Sequence, residues 1–116
     1  MRVNNEQIVT NAVLNTTVHS SPVNLNQIFM YAIQGIITGT PTGTFTLEGS
    51  CDPNSGNIFP TNWTTIDNSS KAVAAAGTFI YSVSDSAYNW ARLAYADGSG
   101  GESSAVLNAN VNTKGF

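Results

Sequence analysis

The side chains of this sequence that could do chemistry are few and scattered. There is one histidine, His19, one cysteine, Cys51, and seven carboxylates: Glu6, Glu48, Asp52, Asp67, Asp85, Asp97 and Glu102. Acyl transfer of the Ser-His-Asp kind needs a nucleophile on a strained turn beside a base, and no nucleophile-elbow pattern is present. His19 falls in the Ser-rich segment before Pro22 and reads as a loop residue. Glycoside hydrolysis needs two facing carboxylates, and nothing in the spacing of the acids sets up such a pair. A lone cysteine supplies neither a disulfide framework nor a cysteine zinc site. The sequence reads as non-enzymatic, with no cofactor.

Binding is the chemistry that remains. Asp52-Pro53-Asn54-Ser55-Gly56-Asn57 puts oxygen ligands at alternate positions around a glycine, a weak calcium candidate resting on Asp52 and Asn54. It lacks the several carboxylates and the closing Glu of an EF-hand, and Asx and Gly residues equally make a plain turn. Tyr31, Trp63, Tyr81, Tyr88, Trp90 and Tyr95 could form a sugar-stacking platform, although aromatics in strands also serve as core. Tyr88, just after Ser84-Asp85-Ser86, is placed near a strand end. Arg92 is one of only four basic residues and lies mid-strand. Its guanidinium requires an acid, with Asp67, Asp85 and Glu48 the choices. Asn15, Asn62 and Asn68 match Asn-x-Ser/Thr, as an Asn- and Thr-rich chain does by chance.

Composition narrows the partners. The chain has 116 residues, 41% hydrophobic but only 9% charged, with a net charge of -3; about a quarter charged is usual. So little positive charge excludes phosphate neutralisation on nucleic acid and a polybasic membrane patch. No run approaches the roughly 18 apolar residues of a membrane span. The polar Met1-Arg2-Val3-Asn4-Asn5 start lacks a signal-peptide core. Export would be by lysis, by an unusual route, or within a particle. Such a charge-poor surface suits a protein outside the cytosol or inside a large assembly, where neighbours keep it soluble. The length fits one domain, residues 1–116.

The elements that must position these groups are strands. Gln7–Leu14 alternates loosely. Ser20-Ser21-Pro22 breaks the chain, and Val23 and Leu25 then share a face opposite Asn24 and Asn26. Phe29–Thr38 is the longest apolar run and is expected to be buried on both faces, in the core or against a neighbouring subunit. Gly39-Thr40-Pro41-Thr42-Gly43 reads as a hairpin turn with positive φ available at both glycines. Phe45 and Leu47 face inward, with Thr44, Thr46 and Glu48 outward. Short strands are expected at Trp63–Ile66 and within Lys71–Gly77. Phe79, Tyr81 and Val83 share one face, and Tyr88, Trp90 and Arg92 another. Asp97-Gly98-Ser99-Gly100-Gly101 is a turn. In the last strand Ala105, Leu107, Ala109 and Val111 point in, while Asn108, Asn110 and Asn112 point out.

About eight strands at this spacing predict an all-β fold, a two-sheet antiparallel β-sandwich of jelly-roll type. The expected core is Ile33, Ile37, Phe45, Leu47, Trp63, Ile66, Phe79, Tyr81, Leu93, Leu107 and Val111. Low charge and a strand apolar on both faces predict a homo-oligomer, with trimer ahead of dimer.

The order Asn24-Leu25, Tyr31-Ala32-Ile33-Gln34, Gly39–Thr44, Leu47–Pro53, Trp63–Ile66, Tyr88–Leu93 and the closing Lys114-Gly115-Phe116 resembles small β-sandwich virion proteins of tailed bacteriophages. These are decoration, cement or accessory proteins. The resemblance implies a virion location and partnership with capsid shell protein and with itself; Phe29, Tyr31, Tyr88 and Arg92 are the interface candidates. The Leu47–Asp52, Asn62–Ile66 and Tyr88–Leu93 order is also similar to discoidin-type jelly-roll modules, which hold a sugar or lipid in loops at one end of the sandwich. This chain is shorter, has Cys51 where Asn is expected, and lacks the cysteine pair of secreted members. A glycan-binding role is the alternative that this second likeness implies.

Overall fold

The computed structural model describes residues 2–54, 59–84 and 86–116. The described residues form ten strands and no helix: β1 (Arg2–Val13), β2 (Val18–His19), β3 (Val23–Asn24), β4 (Ile28–Thr38), β5 (Gly43–Ser50), β6 (Thr64–Thr65), β7 (Lys71–Val73), β8 (Gly77–Ser84), β9 (Trp90–Asp97) and β10 (Val106–Gly115). They make two antiparallel sheets. One has the order β1-β10-β4-β8; the other runs β2-β9-β5-β6, with β3 also on β9 and β7 also on β5. Each outer element of the second sheet is thus one strand in two pieces.

Counted that way there are eight strand positions, and early strands pair with late ones: β1 with β10, β2 and β3 with β9, β4 with β8, β5 with β6 and β7. A long hairpin rolled over on itself gives this pairing, which is the jelly roll expected from the sequence.

Buried serines bridge both interruptions. Ser20 donates its amide to the Leu93 carbonyl at 2.9 Å, and its Oγ accepts the Leu93 amide at 2.9 Å, carrying the ladder from β2 toward β3. Ser69 Oγ accepts the Leu47 amide at 3.1 Å and donates to the Ile66 carbonyl at 2.6 Å, between β6 and β7. In both places a side chain supplies the acceptor that a regular strand would take from its backbone.

The core lies between the sheets, and strand alternation fills it. Ile33, Ile37, Phe45, Leu47, Tyr81, Leu93, Leu107 and Val111 are buried as expected, with Ile66 and Phe79 packed half-buried against them. Ile8, Val9, Leu14 and Tyr95 join them. Trp63 does not, because it precedes β6 on the outer side of the sheet and stacks there on Arg92.

Three further expectations are corrected. The apolar run of β4 is central in its sheet but buried on one face only: Tyr31, Ile33 and Ile37 point in, while Ile36 points out and is 47% exposed. A sandwich has no third layer to cover that outer face. Gly39–Gly43 is no hairpin, since it carries the chain from β4 in one sheet to β5 in the other. Gly39 does take a positive φ of 89°, but Gly43 does not, and it is required for space instead. A Cβ at Gly43 would lie 2.4 Å from the Tyr95 hydroxyl.

Candidate functional site

Arg92 and Glu48 stand directly opposite each other on β9 and β5, on the outer face of their sheet. Arg92 Nε donates to Glu48 Oε1 at 2.6 Å, and both side chains are 18% exposed. Of the three acids the sequence offered, Glu48 is therefore the partner. The guanidinium also lies over the Trp63 ring, 4.3 Å from its centroid, a cation–π contact. His19 Nε2 comes within 4.0 Å of the same Glu48 oxygen. The cluster has a carboxylate, an imidazole and a guanidinium, but no nucleophile is hydrogen-bonded to His19 among the described residues. What it does is clamp: it holds the Trp63 end of the Ser50–Trp63 connection against the sheet.

The other end of that connection is held by amides. Asp52 Oδ2 accepts the amides of Thr61 at 2.8 Å and Asn62 at 3.0 Å, and its Oδ1 accepts Asn62 Nδ2 at 3.0 Å. These donors, the Asn62 side chain foremost, hold the Asp52 carboxyl below the usual carboxylate range. Asn54 Nδ2 donates to Asn24 Oδ1 at 2.9 Å and to the Asn89 carbonyl at 3.0 Å. The weak calcium candidate thus has both its named side chains engaged with the chain itself. Asn57, its third oxygen ligand, lies outside the described residues. No group of three or more His, Cys, Asp or Glu side chains comes together among the described residues.

Tyr88 lies between the sheets at their open end. Its hydroxyl is 2.7 Å from that of Tyr31, with the rings edge to face at 6.4 Å. Burial pushes both phenols up, Tyr31 furthest, so the pair is neutral throughout the physiological range. The Tyr88 ring also packs on Gly49, where a Cβ would sit 3.1 Å from it. Beside it opens a groove of about 430 Å³ lined by Tyr88, Ile66, Asp52, Asn62, Thr64 and Thr65.

The interface candidates are not brought together on one surface. Tyr31 is 2% exposed and so is unavailable to a partner, because its strand turns that side chain into the core. Tyr88 is half-buried in the groove, and Arg92 is on the outer face of the other sheet. Phe29 is half-buried against Phe116, their ring centroids 5.5 Å apart, with Phe116 82% exposed.

A surface that the aromatic residues did not point to lies on the outer face of β1-β10-β4-β8. Register places Gln7, Asn110, Gln34 and Ile80 in one row across it and Asn5, Asn112, Ala32 and Ser82 in the next. A third row has Asn108, Ile36 and Thr78. Ile80 is 57% exposed. Asn5 Nδ2 donates to Asn112 Oδ1 at 2.5 Å, and Asn108 Nδ2 to Asn11 Oδ1 at 3.1 Å. Lys114, at one end, is the only charged side chain that the described register turns to this face. The outward Asn108, Asn110 and Asn112 were the signal for it in the sequence.

No protein-family model and no curated protein matches this sequence. Solved structures do share its architecture. The crystal structure of SPBc2 prophage-derived protein YomS superposes with a TM-score of 0.61 at 4% identity, covering 97% of this chain and 92% of that one. A structure described as Bacillus endospore appendages forming a novel family of disulfide-linked pili superposes with a TM-score of 0.53 at 13% identity, covering 98% and 88%. The likeness is one of fold.

Proposed function

We propose that this chain is a non-enzymatic structural subunit of a virion, a capsid decoration, cement or other accessory protein of a tailed bacteriophage that works as a homo-oligomer against other virion protein. The observation that carries the reading is the outer face of β1-β10-β4-β8, with its three rows of amides, hydroxyls and isoleucines and one lysine. Charged groups are costly to desolvate, and depletion of charge marks the centre of protein interfaces. Amides give and accept hydrogen bonds at any pH, so a neighbour can cover such a face without matching a charge pattern. The prophage origin of one fold neighbour and the assembly into pili of another support a structural role. The test is to charge the middle of the face. Gln34→Glu with Asn110→Asp should leave the fold intact and abolish incorporation into particles. Normal incorporation of that variant would remove the face from the account.

The second reading, a carbohydrate-binding module, is favoured by the Tyr88 groove with Asp52 and Asn62 on its wall. Glycan binding that is lost in Tyr88→Ala with the fold retained would establish it. A glycan array without signal would end it.

A further inference from the structure

The four free sheet edges of the described structure differ in how they are protected, and one has no protecting feature in its own strand. An exposed edge is a row of unpaired backbone donors and acceptors that templates another strand unless it is short, bulged, charged or proline-bearing. The β2 and β3 edge is two residues plus two, split around Ser20–Pro22. The β6 and β7 edge is two plus three, split at Ser69, and it carries Lys71. β1 is long, but its register on β10 shifts twice, between Gln7 and Val9 and between Val9 and Ala12; Asn11 has a φ of 48°, and Glu6 is exposed.

β8 carries none of these devices in its own sequence; the one charge beside it is Lys71 of β7, whose ammonium lies over the inward Tyr81 ring, 5.0 Å from its centroid. Gly77-Thr78-Phe79-Ile80-Tyr81-Ser82-Val83-Ser84 is eight residues long, without charge or proline. It runs on β4 without a register shift from Ile37↔Gly77 to Met30↔Ser84. Its outward side chains, Thr78, Ile80, Ser82 and Ser84, are exposed. Its inward Phe79 and Val83 are only half covered, as they would be where the sandwich stops short.

We infer that β8 pairs antiparallel with β8 of a second copy of this chain, joining two four-stranded sheets into one of eight across a two-fold axis. A second copy fits because the edge is neutral and antiparallel pairing is self-complementary: the same strand supplies both partners, with no like charges opposed. The joined outer faces must stay on one side, so outward residues oppose outward residues. The register that covers the most exposed apolar side chain of β8 sets Ile80 opposite Ile80. On the inner side it then sets Phe79 opposite the second copy's Tyr81, which completes the half-open core at that edge. This names the self-association surface used by the proposed virion subunit, but it does not depend on which particle carries the chain.

Two variants and a control test it in a Cys51→Ser background. Opposed Cα atoms in an antiparallel pair are about 4.5–5.5 Å apart, within the span of a disulfide. Ile80→Cys should therefore give a covalent dimer on mild oxidation. Ile36→Cys, one strand further in on each copy and in register with Thr78 rather than Ile80, about 20 Å from its mate, should not. Ile80→Lys, which opposes two like charges at an already exposed position, should keep the strand-type circular dichroism and weaken the dimer at least about tenfold in sedimentation equilibrium. A parent chain that stays monomeric at all accessible concentrations overturns the pairing; so does a dimer that Ile80→Lys leaves intact, or one that Ile80→Cys cannot cross-link. If a monomer is still found in particles, the virion reading survives and this one does not.

Discussion

Ser20 pairs with Leu93 as a strand residue would, but with its own hydroxyl in place of one backbone carbonyl: its amide meets the Leu93 oxygen and its Oγ the Leu93 nitrogen, each at 2.9 Å. Ser69 does the same for the Leu47 amide on the opposite edge of that sheet. Both serines are buried, so removing either hydroxyl strands a buried amide without water to replace the bond. Ser20→Ala and Ser69→Ala should each cost about 1–3 kcal/mol, with additive losses because the two sites are on opposite edges. Urea denaturation of the single and double variants measures this. A neutral effect would mean that the edges relax to pair the amide another way.

The Tyr31–Tyr88 hydroxyl contact ties β4 of one sheet to the turn before β9 of the other. Tyr88→Phe should destabilise by about 1–2 kcal/mol because it leaves the Tyr31 hydroxyl buried without its partner. The Tyr31→Phe, Tyr88→Phe pair should cost less than the sum of the singles, which a double-mutant cycle reads directly. Gly49→Ala, which drives a methyl toward the Tyr88 ring, should weaken the same region.

Much of this arrangement was legible in the sequence. Period-two alternation fixed the inward sides of β5, β8 and β10, and punctuation at Ser20–Pro22 and Asp97–Gly101 marked real breaks. What was not legible depended on long-range pairing. Residues 2–6 are polar but for Val3 and carry no strand pattern, yet they are held on Thr113-Lys114-Gly115 and their neighbours in β10. Trp63 looked like core because a tryptophan beside Ile66 in a short strand usually is. Only the position of Arg92 on the neighbouring strands explains why it lies outside. Ile36 lengthened an apolar run that read as doubly buried, and a sequence cannot say that no third layer exists. The aromatic residues drew attention as binding groups, while the face that distinguishes this protein is made of Asn, Gln and Ile.

The Arg92–Glu48 pair is mostly withdrawn from water, so breaking it from one side leaves a poorly solvated charge. Arg92→Met should cost about 1–3 kcal/mol and release Trp63, shifting tryptophan emission to longer wavelength. Glu48→Gln, which keeps an oxygen for the Arg92 Nε proton, should cost less. Equal losses from the two variants would mean that ion pairing, rather than the stacking of Trp63, is the main effect.

The carboxyls of Asp52 and Asp97 both sit below the ordinary value of 3.8, each held there first by a side-chain donor, Asn62 for Asp52 and Ser99 for Asp97. A carboxyl depressed in the folded state stabilises fully above its unfolded value and loses that contribution as pH falls through the folded one. Thermal stability should therefore be flat near neutrality and decline below about pH 4. Asp52→Asn should lower stability at neutral pH, where an amide nitrogen replaces one of the two oxygens that accept from Thr61 and Asn62 and so faces at least one donor, and flatten the acid decline. An acid limb unchanged in that variant would place the titration elsewhere.

Everything functional rests on whether this chain is part of a particle. Purify particles of the phage proposed to carry this chain through a density gradient, strip loosely bound protein with salt, and quantify this chain against the major shell protein by mass spectrometry. The account predicts a fixed stoichiometric ratio that survives the wash, with density for a β-sandwich on the particle surface at the same sites by electron microscopy. Gradient-pure, fully infectious particles that contain none of the chain would contradict it and leave the groove beside Tyr88 as the place to look for a function.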